Sequence, residues 1–169
     1  IIVMRPIDLE MQYSIAVMVN HEVTAIDPAT KSVTVHNLEA DTTETVAHDE
    51  LVLAPGAVPI RPDKIAGIHN DNVFTIRNVE DVKHILGYLL DRDITDVTVI
   101  GGGFVGVEAA ENLSNGGFQV NLVEAHDHVL KTLDDDIAQI VQKTMLDYEI
   151  NLLVNDRVTS TSDKNVTSA

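Results

Sequence analysis

The stretch VTVIGGGFVGVEAAENLSNGGFQVNLVE, residues 97–124, decides the fold. Val97-Thr98-Val99-Ile100 reads as a buried strand. Gly101-Gly102-Gly103 turns the chain. Residues 105–115 then read as a helix, stopped by Gly116-Gly117 at the left-handed position that ends many helices. Gln119 to Glu124 is a second strand. Working outward on the C-terminal side, Asp134-Asp135-Asp136 places acids at the positive end of a further helix. Its apolar stripe is Ile137, Ile140, Val141 and Met145. Ile150 to Val154 is a third strand, so the order from residue 96 onward is βαβαβ, an α/β pattern. The polar tail from Thr159 is expected to fray.

On the N-terminal side, Asn78 is placed to cap a helix, with Glu80 and Asp81 in its first turn. The helix stripe is Val82, Ile85, Leu86, Leu89 and Leu90. Residues 57–72 carry Pro59, Pro62 and Gly67 and read as a connecting loop. Leu51-Val52-Leu53-Ala54 is apolar at every position, as in a strand covered on both faces. Pro55-Gly56 stops it. Further out, Glu22–Ile26 and Ser32–His36 alternate around Asp27-Pro28-Ala29-Thr30-Lys31, which is a hairpin signature. Glu39 to Glu44 reads as a loop, Thr45-Val46-Ala47 as a short strand and Ile15 to Val19 as a buried strand.

Composition bounds the partners. The 169 residues include 27 Asp and Glu against 11 Lys and Arg, a formal net charge of -16. Nucleic acid and anionic membrane surfaces are disfavoured, since both are recognised mainly by basic side chains. There is no cysteine, so no thiolate chemistry or disulfide belongs to this chain. No apolar run has the length of a bilayer span. A cytoplasmic location is the default expectation. The chain opens on Ile1 and not on an initiator methionine, which suggests a piece of something longer.

Gly101-x-Gly103-x-x-Gly106 carries the chemistry because of its context. It follows a strand, opens a helix, and is followed by an acid, Glu124, at the end of the next strand. Gly101 permits the tight turn, Gly103 lets backbone approach a pyrophosphate, and Gly106 lets the helix pack close. The helix N-terminus offers free N–H groups to phosphate. Glu124 suits both hydroxyls of an adenosine ribose and repels a 2′-phosphate. Ala125-His126-Asp127-His128 brings no Arg or Lys to welcome one, so NAD(H) is expected over NADP(H). The competing reading is a glycine-rich turn with no ligand. A methyltransferase reading fails on Val105, which stands where those enzymes usually need a small residue. His126, Asp127 and His128 read as a solvated loop, with no metal site expected.

With Leu122-Val-Glu124, this segment resembles the NAD domain of the FAD-dependent pyridine nucleotide-disulfide oxidoreductases. Asp49-Glu-Leu-Val-Leu-Ala-Pro-Gly-Ala-Val-Pro59 is similar to that family's second flavin motif, with Pro55 where Thr is common. Val19-Asn-His-Glu-Val23 and Val73-Phe-Thr-Ile-Arg-Asn78 look closest to the coenzyme A-disulfide reductase and NADH oxidase branch. The resemblance implies a Rossmann-like dinucleotide-binding domain preceded by a β-rich segment of a flavin domain. Residues 1–60 would end the first FAD segment, 61–96 would cross over, and 97–169 would form a truncated NAD domain. The redox cysteine would lie upstream, leaving no catalytic residue here. The parent would be a homodimeric flavoprotein passing hydride from NADH to FAD, and this piece alone would be inactive.

The resemblance also implies individual roles. Gly101, Gly102, Gly103, Phe104, Val105, Gly106, Glu108 and Glu124 would hold NAD, with Phe104 as the nicotinamide gate. Val23, Ala54, Pro55, Gly56, Ala57 and Arg77 would lie against FAD. Plainer readings stand beside these. Phe104 is also an ordinary apolar residue at a helix start, and Glu108 an acid stabilised by the helix dipole. Arg77 is also a solvated residue, and Val23 a core residue. A stand-alone NAD-sensing module without catalysis is the alternative function. It leaves the hairpin and the Leu51–Pro59 motif without a role. If residues 1–60 do belong to a flavin domain, they should pack poorly here or bury their apolar face on another chain.

Overall fold

The computed structural model describes residues 4–169. Its contacts divide the chain into two compact units, one ending at Gly56 and one beginning at Ala57. The first unit holds helix α1 (Pro6–Tyr13) and the strands β1 (His21–Asp27), β2 (Ser32–Asn37) and β3 (Thr42–Ala47). The strands form an antiparallel sheet in the order β1-β2-β3. The hairpin forms where the turn chemistry demands it. The Asp27 carboxylate accepts the N–H groups of Ala29 and Thr30, and Lys31 takes the left-handed conformation. Only Val33 and Val35, alternate residues of β2, are buried in this sheet.

Two strand expectations fail in this unit. Residues 15–19 form no strand, and Ser14 and Asn20 on either side both have positive φ. Leu51–Ala54 is likewise irregular, with Val52 89% exposed and Leu53 also exposed. An apolar run becomes a strand only where a ladder partner satisfies its backbone, and no described strand pairs with either run. The loop read over Glu39–Glu44 is also shorter than expected, because β3 begins at Thr42.

The second unit contains α2 (Val79–Asp91), β4 (Asp96–Ile100), α3 (Phe104–Asn115), β5 (Gln119–Val123), α4 (Asp135–Asp147), β6 (Asn151–Leu153), β7 (Val158–Thr161) and β8 (Val166–Ser168). Strands β4, β5 and β6 run parallel in that order, with α3 and α4 as the connections. The helices begin and end as their sequences dictate. Asn78 accepts the Asp81 N–H while the Asp81 carboxylate accepts the Asn78 N–H, a reciprocal cap. α3 ends with Gly117 N–H donating to Ser114 and Phe118 N–H to Leu113, with Gly117 at φ +89°.

The core lies between the central strand β5 and its two helices. Ala110, Val120, Leu122, Val129, Met145 and Ile150 are buried there. The tail expected to fray is instead the antiparallel hairpin β7–β8. Thr161 N–H donates to Ala66, and Ala66 N–H donates to Thr159. Gly67 makes that approach possible, because a Cβ on it would stand 2.1 Å from the Thr161 carbonyl oxygen. Among the described residues no helix is long and apolar enough to cross a membrane.

Candidate functional site

The glycine turn lies at the C-terminal end of β4, where ligands of open α/β sheets bind. Gly101 has φ +101° and donates its N–H to Val123, tying the turn to β5. Gly106 sits so close beneath it that a Cβ would come 1.9 Å from the Gly101 carbonyl oxygen. That contact brings the first turn of α3 against the loop. Gly103 is the N-cap of α3, and no side chain caps the helix there. A Cβ on Gly103 would meet nothing within 4 Å. The result is an uncapped helix start facing open space, a ready receptor for an anion.

Glu124 closes the site from the end of β5. It is 8% exposed, yet its carboxylate is well satisfied. Oε2 accepts the Gly102 N–H at 2.6 Å, and Oε1 accepts the His126 N–H at 2.8 Å and also contacts His126 Nδ1. Burial by itself raises the carboxyl pKa. The two backbone donors and the histidine ring outweigh it and hold the group below its ordinary value. Gly102 is held from the other side too, since its carbonyl accepts the Leu130 N–H at 2.7 Å. A Cβ on Gly102 would stand 2.8 Å from Val129 Cγ1, so the turn lies directly on the core.

The structure therefore joins Gly101, Gly102, Gly103, Gly106 and Glu124 into one corner. Phe104 and Val105 are exposed on the first turn of α3, Phe104 at 65%. Phe104 thus fills no core space. Glu108 is exposed on the same helix. Val23, Ala54, Pro55 and Gly56 belong to the first unit, Ala57 and Arg77 to the second. Gly56 has φ +73°, as a sharp stop after Pro55 requires. Arg77 donates its backbone N–H to Asp81 in the cap of α2, and its side chain is exposed. Val23 is exposed on β1 and is not the core residue of the plainer reading. The core reading fails because Val23, although opposite the buried Val35, lies on the edge strand β1, where every residue after His21 is exposed.

Sequence reasoning missed the supports contributed by Val129 and Leu130. The signal was present as an apolar pair inside an otherwise polar loop. The loop's histidines sit beside acids. His128 Nε2 lies 3.4 Å from Asp135, and among the described residues no three potential ligands gather for a metal.

Residues 6–169 match the pyridine nucleotide-disulphide oxidoreductase family, and the chain belongs to it. An NADH oxidase of Enterococcus faecalis is 35% identical over 143 residues, 84% of this chain and 31% of that protein. A coenzyme A disulfide reductase of Staphylococcus haemolyticus is 31% identical over 153 residues, 90% of this chain and 34% of that protein. The chain thus spans about a third of the length of these relatives. Among solved structures, the reduced CoADR-RHD of Bacillus anthracis is similar with a TM-score of 0.85 and 34% identity, over 98% of this chain and 30% of that one. An engineered water-forming NADPH oxidase bound to NADPH is 32% identical with a TM-score of 0.72, over 90% of this chain and 34% of that one. It is a mutant of the Lactobacillus brevis water-forming NADH oxidase.

Proposed function

We propose that this chain is the NADH-binding portion of an FAD-dependent NADH:disulfide oxidoreductase of the coenzyme A-disulfide reductase or NADH oxidase kind. One observation carries the reading: the uncapped start of α3 at Gly103 and the buried carboxylate of Glu124 meet in a single corner through the Gly102 N–H. The first suits a pyrophosphate, the second a ribose diol. When bound, the nicotinamide supplies a hydride and the flavin accepts it. The chain's own residues bind and orient. Gly101, Gly103 and Gly106 clear space for the phosphates, and Glu124 holds the ribose. Val105 and Glu108 line the same helix, and Phe104 stands exposed at its first turn, free to move as a nicotinamide gate. Val23, Ala54, Pro55, Gly56, Ala57 and Arg77 are proposed as the flavin-facing set of the complete protein. The cysteine that receives the electrons lies outside this chain, and the complete protein is a cytoplasmic homodimer.

The preference for NAD(H) rests on charge. Glu124 is ionised and a 2′-phosphate would be repelled from it. The engineered NADPH oxidase supports this. Its five replacements fall on a glycine, an acid 18 residues later, the next two residues, and one 5 residues beyond those. This chain carries Gly106, Glu124, Ala125, His126 and Lys131 at that spacing, so the support comes from the retained acid, Lys131 already being a cation where the last replacement introduces an Arg. The test is a parallel titration with NADH and NADPH, following nicotinamide fluorescence. NADH should bind at least about tenfold tighter, the worth of roughly one mismatched charge at a partly solvated site. Glu124→Ala should erase most of that difference. Equal binding of the two by the wild-type chain would sink the proposal.

A further inference from the structure

The loop that follows Glu124 contains a group that the proposed function leaves unused. The His126 ring packs its Nδ1 against Glu124 Oε1, on the same oxygen that accepts the His126 backbone N–H. An ionised carboxylate only accepts hydrogen bonds, so Nδ1 carries the hydrogen and the neutral ring leaves Nε2 as an acceptor. The backbone is fixed, since Asn155 N–H donates to the His126 carbonyl at 2.8 Å. The ring itself is 51% exposed, so Nε2 can exchange a proton with solvent.

We propose that His126 sets how strictly Glu124 excludes a 2′-phosphate, and that protonation of its ring relaxes the exclusion. The inference rests on the NADH site proposed above. With a neutral ring, Glu124 and His126 together carry one negative charge and no free donor. A protonated ring makes the pair neutral and adds an Nε2–H donor beside the ribose position. A 2′-phosphate gains from both changes, whereas a free 2′-hydroxyl gains little from either. Histidine is the side chain whose charge changes in this pH range. Glu124 stays ionised there, held down by its donors. The charged neighbours of the ring in sequence are Asp127 and His128, and the segment after β6 reaches the same place through backbone, Asn155 N–H donating to His126 and Asp156 N–H to Glu124. His128 is turned elsewhere, with Nδ1 on the Val129 carbonyl and Nε2 toward Asp127 and Asp135.

The experiment is calorimetric titration of the whole chain with NAD⁺ and NADP⁺ from about pH 8 to about pH 5.5, with folding checked by circular dichroism at each point. The 2′-phosphate has its own pKa of about 6, so the comparison is between variants at matched pH. The wild-type preference for NAD⁺ should fall about tenfold further across this range than that of His126→Asn. His128→Asn should follow the wild type. Superimposable profiles for wild type and His126→Asn would overturn the inference and leave the NADH site standing. A His128→Asn profile as flat as that of His126→Asn would mean that the His126 ring does not carry the effect by itself, and would overturn the inference too. A folded chain that binds neither nucleotide would remove the NADH reading, and the inference with it.

Discussion

Glu124, proposed above as a binding group, is also a structural one. Its carboxylate holds Gly102 and His126 through their N–H groups, so it fixes the glycine turn before any ligand arrives. A preformed site of this kind loses less freedom on binding. The same bonds tie stability to pH. The folded state holds the carboxyl below its ordinary value of 4.5, so the folded chain binds that proton less tightly than the unfolded chain. The stabilisation is therefore complete above the unfolded value and is lost as pH falls through the lower folded one. Glu124→Gln should cost about 1–2 kcal/mol at neutral pH, the worth of a charge-assisted hydrogen bond. Urea titrations should show that gap closing below about pH 4. A gap that widens toward acid would contradict the bonding described. At this scale the motif was readable, because Gly101, Gly103, Gly106 and Glu124 each answer to one steric or charge demand. The tie through Gly102 and the His126 ring was not. It depends on the path of residues 125–130, including Leu130 at φ +52°, and no periodicity encodes such a path.

Elements were legible where local chemistry and tertiary need agree. α3 was readable from both ends because glycines mark them, and β4 and β5 because both are short runs with apolar residues at alternate positions and at their C-terminal ends. The N-cap at Asn78 was readable from Asn and Asp three residues apart. Ile15–Val19 and Leu51–Ala54 misled because an apolar run says that burial is favourable, without saying what provides it. The β7–β8 hairpin was missed for the opposite reason. Its polar threonines and serines hide two strands that pair with each other, and the bridge that ties β7 to the rest of the unit comes from Ala66, far away in sequence. The end of α4 shows a local demand met imperfectly. Ile150 N–H donates to Met145 and Glu149 N–H to Leu146, the same closure as in α3. Here the left-handed position holds Glu149, at φ +60°, and not a glycine. Its side chain is exposed. Glu149→Gly should therefore stabilise the chain by up to about 1 kcal/mol, relief of the left-handed penalty less the added unfolded-state entropy. The urea midpoint should rise with an unchanged slope. A fall in the midpoint would mean that the Glu149 side chain contributes something beyond its conformation.

At the scale of the whole chain, the two units differ in what holds them. The unit from Ala57 onward has a core of buried aliphatic side chains around β5. The sheet β1-β2-β3 buries Val33 and Val35 and leaves Val23, Ile26 and Val46 exposed. A three-stranded sheet with so little apolar burial is held mainly by its backbone ladder, whose net contribution is small. The segment joining the units exposes Val52, Leu53, Val58 and Ile60. In relatives about three times as long, much more chain is present to cover such surface. Amide exchange should resolve the difference. Val120 and Leu122 in β5 should exchange at least about a hundredfold more slowly than Val23 and Ala25 in β1, because opening β5 requires breaking the core. Limited proteolysis should cut first between Leu51 and Ile60, where irregular apolar backbone is most exposed, and leave a resistant product beginning near Ala57. Equal protection of β1 and β5 would mean that residues 1–60 do find cover. If the chain then sedimented as a dimer, that cover would be a second copy, and dilution to the monomer should release the protection of β1 while leaving that of β5 unchanged.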